Sequence, residues 1–306
     1  MYGYGYQYSA IINGGGNNPA AAIFGTYKTR VLADGGVVEN DACTITFLES
    51  IGAGIIPLFD ADAQAFFDRV TAASGSLNTT EQDAVNTLVV QMKADGIWDS
   101  MKAIYPMVGA SAAACSQNLK SSSFTGSFTS GWTFASTGAT PNGTSAFMNT
   151  NLIPNTSLII DSTHLSAYIR TTNSNNQIYI GSKGALSSSL SYLLNFTFVA
   201  LHSSDNSVSP STLVGQNGFF LTSRTPVGNN ITRYENNTIN ASVSSPVGTK
   251  SPSSLYVGAY NNNSIIQFPS NNQNAFASIG DGLDAIQASN FYTAVQAFQT
   301  TLSRQV

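Results

Sequence analysis

The sequence predicts a mainly β protein with a helical segment. It reads as an extended N-terminal arm with a small module (1–54), a small α-helical connector (55–110) and an antiparallel β-sandwich of jelly-roll type closed by a C-terminal helix (111–306). Three observations predict this. Residues 116–275 hold about seven to ten short runs of alternating or β-rich composition, split by turn signals. The charge shifts abruptly near 108–120: residues 1–110 hold 11 of the 16 acids, and 116–275 hold only Asp161, Asp205 and Glu235. The chain then ends on an amphipathic stretch with a capping signal.

Residues 1–26 are rich in Tyr, Gly and Asn. Tyr2, Tyr4, Tyr6 and Tyr8 alternate and would share one face of an extended strand. Tyrosine gives much contact area per ordered residue, so the segment suits an arm that docks on another subunit; the alternative is a flexible tail. Asp34-Gly35-Gly36 signals a turn, and Val38, Ala42, Ile45 and Leu48 or Glu49 recur at helical spacing up to Gly52 and Gly54.

In 58–110, Asp60 or Asp62 can cap a helix carrying Phe66, Phe67 and Val70. Thr79 or Thr80 caps the next, with Glu81 and Asp83 in its first turn and Val85, Leu88, Val89 and Met92 on one face. After Asp95-Gly96, IWDSMKAIYPMVG reads as a further helix with Ile97, Trp98, Met101, Ile104 and Tyr105 apolar, ended by Pro106.

The strand runs are AFMNTNLI, HLSAYIR, QIYIGS, LLNFTFVAL, GFFLTSR, ITRYENNT and LYVGAY. Two layers sharing an apolar interior let a chain this poor in charge fold. In the last segment, Asp284 to Gln287 fits a capping box, and Leu283, Phe291, Val295, Phe298 and Leu302 form a stripe. That stripe must be buried on the flank of the sandwich or on the 58–107 helices.

Several stretches together resemble a recurrent set of tailed-bacteriophage virion surface proteins, of fibre or decoration type. FASIGDGL followed by FYTAVQAFQTTL is similar to their C-terminal strand and helix. YKTRVLADGGVVENDAC is similar to a short module with a D-G-G-x-V-E core, here Asp34, Gly35, Gly36, Val38 and Glu39, with Cys43 following. LVVQMKADGIWDSMKAIYPMVG is similar to a helix-turn-helix, with Leu88, Lys93, Gly96, Trp98, Met101 and Tyr105 in matching places, and GWTFASTGATPNGTSAFMNTNL to the first sandwich strands. The resemblance implies a laminin-G/concanavalin A-like lectin sandwich, other virion proteins as partners through the N-terminal arm, and a homo-oligomer, a trimer by analogy. It implies assembly in the host cytoplasm and a place on the surface of the released particle. Adsorption to host-surface glycans is one implied role; purely structural decoration or cement is the other.

Composition narrows the chemistry. Charged residues are 9% of the chain, against roughly 25% in ordinary domains. Asn, Ser, Thr and Gly carry the polarity, which suits subunit contacts or neutral polymers. Nucleic acid would need clustered Lys and Arg. No run approaches the roughly 18 apolar residues of a membrane helix, and the first residues lack the basic-then-apolar pattern of a signal peptide. Cys43 and Cys115 show no metal spacing and read as buried thiols, with a disulfide left open. His164 and His202 read as structural. A glycosidase needs two paired carboxylates, and Asp161, Asp205 and Glu235 are far apart in sequence, so catalytic residues are expected to be none. No metal is expected either, although Asp161, Asp205 and the Asn clusters offer the oxygen type calcium takes. Glycan contact needs exposed aromatics and amides: the candidates are Trp132, Asn230, Tyr234, Asn237, Tyr260 and Asn262. The competing reading makes Trp132 core and the Asn runs turn chemistry.

Overall fold

The computed structural model describes residues 59–171, 177–184, 190–194, 199–203 and 217–306, with 190–194 and 199–203 described by backbone. The arm tyrosines Tyr2, Tyr4, Tyr6 and Tyr8, the 38–49 helix, Cys43 and Asp205 lie outside these residues. Asp60–Val306 forms one compact unit.

It begins with α1 (Ala61–Ala72), capped by Asp60, whose carboxylate accepts the Asp62 N–H at 2.9 Å. α2 (Thr79–Ala94) follows. Its cap is Asn78, not Thr79 or Thr80: the Asn78 side chain accepts the Glu81 N–H, and Glu81 accepts the Asn78 N–H in return. The capping-box acid sits at the third helical position, and counting back from Glu81 fixes the cap at Asn78. Lys93, in the last turn of α2, lies 2.6 Å from both Asp60 and Asp62 and pins the two helices together.

The helix expected over 97–105 does not form. Trp98–Ser100 makes one 3-10 turn, and β1 (Met101–Tyr105) pairs antiparallel with a strand at the far end of the chain. Ala103 and Tyr105 face the core between the sheets, and Ile104 is also fully buried. A short apolar run buried on both sides has no periodicity that separates helix from strand. The segment read as a connector therefore supplies a strand of the sandwich.

After the short helix α3 (Ala112–Cys115) come β2 (Ser127–Phe128), β3 (Trp132–Ala135), β4 (Gly138–Pro141) and β5 (Met148–Asn149). The helical turn α4 (Pro154–Ser157) leads to β6 (Thr163–Ile169), β7 (Ile178–Lys183), β8 (Leu190–Leu194) and β9 (Val199–Ser203). β10 (Gly218–Arg224), β11 (Asn230–Glu235) and β12 (Thr238–Ser244) form a meander. β13 (Tyr256–Val257), β14 (Tyr260–Asn262), β15 (Ile265–Gln267) and β16 (Asn274–Gly280) precede α5 (Ala285–Thr301).

These strands make two eight-stranded sheets. The first runs β12-β11-β10-β6-β16-β4-β3, with β1 also on β16; the second runs β15-β14-β7-β13-β5-β2, with β8 on β7 and β9 on β8. The pairs are antiparallel except β14 with β7. Leu165, Ala167, Ile169, Phe220, Ala277 and Ile279 of the first sheet meet Met148, Tyr179, Ile180 and Val257 of the second. The expected β-sandwich is thus the observed fold.

The other face of the first sheet is buried too. Phe291 of α5 packs 5.4 Å from Phe219 and 6.0 Å from both Phe276 and His164 (centroid distances). All seven residues of β6, β10 and β16 are buried in consequence. The Asp284 capping box forms as the sequence indicates, and Leu283, Phe291, Val295 and Phe298 are buried.

Polar groups under α5 satisfy one another. The His164 Nδ1–H donates to the Asp281 carbonyl at 2.6 Å, since a carbonyl can only accept. Nε2 of the neutral ring then accepts from Ser278 Oγ at 3.0 Å, which accepts from Ser166 Oγ at 2.7 Å. Burial pulls the His164 pKa down to about 4. Arg304, also fully buried, donates to the carbonyls of Met107, Pro106 and Ala275 at 2.7–2.8 Å and to Gln299 Oε1 at 2.6 Å. Burial lowers its pKa to about 9. Cys115 is a free, buried thiol that donates to the Val108 carbonyl at 3.4 Å, and burial pushes its pKa up to about 12.

Two predictions follow from this layer. Arg304→Ala removes the guanidinium donors to the Pro106 and Met107 carbonyls and one of the two side-chain donors to that of Ala275, and is expected to cost about 3 kcal/mol or more in urea unfolding. His164 binds its proton near pH 6.5 when unfolded and near 4 when folded. Its contribution is complete above pH 6.5 and falls as pH drops toward 4, by on the order of 3 kcal/mol. A His164→Gln variant is expected to lose that part of the pH slope.

Candidate functional site

The six sequence-predicted glycan contacts do not converge. Asn230, Tyr234 and Asn237 belong to β11 and its hairpin turn, near one end of the first sheet; Trp132 lies on β3 at the other end. Tyr234 is buried and sits close enough to α5 for Asp284 to act on its hydroxyl electrostatically. Asn236 and Asn237 have φ of 45° and 68° and build the tight turn between β11 and β12. The Asn236 side chain is committed, accepting the Phe219 N–H at 2.8 Å. Asn237 is exposed.

Trp132 lies where the β3 and β2 edges of the two sheets meet, whereas Tyr260 and Asn262 lie on β14, beside the opposite edge strand β15 of the second sheet. Trp132 is half-buried in a cluster with Phe128 (5.0 Å, edge-on) and Phe134 (6.4 Å, stacked), joining the β3 and β2 edges of the two sheets. Its ring lies against Gly258, where an added Cβ would come within 3.0 Å of the indole. Gly258 has φ +81° and accepts the Ser270 N–H through its carbonyl at 2.8 Å. Tyr260 is buried opposite Gln267, and Asn262 donates to Gln267 Oε1 at 3.1 Å.

The residues between, Gln267-Phe268-Pro269-Ser270-Asn271-Asn272, form the most promising surface for a ligand. Phe268 is 49% exposed. Its φ is +47°, a left-handed conformation seldom taken by an aromatic residue. The Ile178 N–H holds its carbonyl at 3.1 Å. Beneath it, buried Gln177 acts as a hub: its Oε1 accepts from Ser270 Oγ (2.9 Å), the Asn271 N–H (3.1 Å) and Asn272 Nδ2 (2.9 Å). Its Nε2 donates to Asn271 Oδ1 at 2.6 Å. Gln273 extends the network, accepting from Arg170 at 2.6 Å and donating to Thr140 at 3.3 Å. The neighbouring Pro141-Asn142-Gly143 loop is fixed by Asn142 Oδ1, which accepts three backbone N–H groups at 3.0 Å.

The result is one exposed ring beside exposed Asn271, Asn142 and Gln267. Aromatic faces and amides are what sugar rings and hydroxyls require. The loops are ordered before any ligand arrives, which lowers the entropy cost of binding. The sequence reading missed Phe268, Gln177 and Asn271. The signal was present as FPSNNQN: an aromatic before proline, then five polar residues.

Among the described residues of the sandwich strands and loops, the acids Asp161 and Glu235 are engaged elsewhere. Glu235 is buried and bonded to Asn240 Nδ2 at 2.9 Å, and Asp161 acts electrostatically on buried Arg224. Among the described residues no group of three His, Cys, Asp or Glu could hold a metal ion, and no helix is long and apolar enough to cross a membrane.

No protein-family model and no curated sequence matches the chain. Among solved structures it is similar to domain 4 of AbnA, a GH43 extracellular arabinanase from Geobacillus stearothermophilus, in complex with arabinotriose. That likeness has 14% identity and a TM-score of 0.44, covering 63% of this chain and 98% of that one. It is also similar to the botulinum neurotoxin serotype D binding domain, with 13% identity and a TM-score of 0.39 over 65% of this chain and 52% of that one. A heptameric SAP-like pentraxin from Limulus polyphemus gives 11% identity and a TM-score of 0.31, over 47% and 73%. These likenesses concern the sandwich fold.

Replacing Gln177 by Leu removes the acceptor shared by three donors. The expected loss is about 2 kcal/mol in chemical unfolding, together with faster amide exchange at residues 270–272 than elsewhere in the sheet.

Proposed function

We propose that this chain is a surface protein of a tailed-bacteriophage virion, of fibre or decoration type, whose sandwich binds neutral host-surface glycans through the loops around Phe268. The observation that carries the binding reading is Phe268 itself: a half-exposed aromatic ring at φ +47°, fixed over an ordered amide network. A left-handed non-glycine residue is strained, and such strain concentrates where function uses it. The virion setting is supported by the sequence resemblance of the D-G-G module, the first sandwich strands and the terminal strand and helix. Repeated weak sites on one particle would add up through avidity. Binding without cleavage is the simpler chemistry, because no described pair of carboxylates flanks this surface.

The alternative is a cement with no ligand. The burial of Tyr234 and Tyr260 favours it, since two of the aromatics expected to face sugar are packed inside.

The deciding experiment is a glycan array of neutral oligosaccharides with wild-type protein and Phe268→Ala. Wild type is expected to bind, and the variant to bind at least about tenfold more weakly, about 1.4 kcal/mol, with an unchanged melting temperature. A protein silent across the array, or a variant that binds equally well, removes the glycan reading and leaves the cement.

A further inference from the structure

The first sheet ends at β12, and its end is unfinished. The seven residues Thr238–Ser244 include no charged residue and no proline. Among the described residues nothing hydrogen-bonds to the outer main-chain edge of this strand. The edges formed by β3, β15 and β2 are only two to four residues long, which blunts them. β12 has only a bulge: Arg233 opposes Ala241 while Tyr234 opposes Ile239, so Asn240 is the extra residue, turned to Glu235. The regular stretch is thus Ala241–Ser244.

On that stretch Val243 lies opposite Ile231, a core residue that is 1% exposed, yet Val243 itself is 37% exposed. The core-facing side of the sheet runs past its cover here. Val227, 82% exposed, adjoins the same end of the strand, because Ser244 Oγ donates to the Gly228 carbonyl and the Ser245 N–H to that of Asn229.

We propose that this edge pairs with the same edge of a second copy of the chain, antiparallel about a two-fold axis through Ser242, so that two first sheets join into one. Ser242 then faces Ser242 of the other copy, and Ala241 faces Val243, each pair on a common side of the sheet. A second copy fits better than a lone peptide strand. Either satisfies the main-chain groups, but only another two-layered edge brings a second sheet to continue the cover over Val243. No charges oppose one another in this register, so self-pairing meets no electrostatic penalty. The interface is isologous and closed. With the axis at Ser242 and the bulge at Asn240, the regular ladder is the three residues 241–243, which makes the dimer dependent on concentration. This inference is independent of the glycan reading.

The test is sedimentation of the full-length protein over a range of concentrations, with two variants. Wild type is expected to shift from monomer to dimer. Ser242→Lys sets two ammonium groups against each other and is expected to weaken the dimer at least about tenfold, with the melting curve confirming the fold. Ser242→Cys under mild oxidation is expected to form a covalent dimer, while wild type and Ser264→Cys under the same oxidant do not. A wild type that stays monomeric at every concentration overturns the proposal. So does an oligomer that Ser242→Lys leaves intact and Ser242→Cys fails to cross-link.

Discussion

The central strands of the first sheet, β6, β10 and β16, are buried on both faces, and much of the structure answers to that constraint. An antiparallel sheet commonly keeps one face in water. Here the sandwich core covers one side of β6, β10 and β16, and α5 covers the other. Every polar atom on the helix side must therefore find a partner inside the protein. The chain from Ser166 through Ser278 to His164 and the Asp281 carbonyl does this for the strands. Arg304 does it for the loose ends: one guanidinium ties the residues after β1, the start of β16 and the last turn of α5 into one knot. It is stabilised by carbonyl dipoles and by the Phe298 ring, 5.1 Å away.

That constraint also fixes where variation is tolerated. The strands β6, β10 and β16 and the inner face of α5 have no spare surface. The edge strand β15, the loop around Phe268 and the free edge of β12 remain open to water. The ordered loops around Gln177 are backed by the sandwich and present their side chains outward. A rigid scaffold with exposed, internally bonded loops is the usual division between stability and recognition. The low charge suits both contacts proposed here, since neither a neutral sugar nor an uncharged strand calls for a counter-charge.

The sequence by itself determined the elements whose signals are local. Asp60 and Asp284 cap their helices because a carboxylate there meets free N–H groups whatever the rest of the chain does. Turn residues such as Asn236-Asn237 hold φ values that few other residues accept. Strand-length β-branched and aromatic runs gave the sandwich. Tertiary structure alone decided the rest. Met101–Tyr105 became a strand because β16 offered its edge, and an apolar run buried on both faces does not announce its period. Tyr234 and Tyr260 became buried through their neighbours, which no single-residue rule contains. Phe268, Gln177 and Asn271 meet because Gln177 opens β7 and the other two lie beyond β15, about ninety residues later, and only the folding of the second sheet places them together.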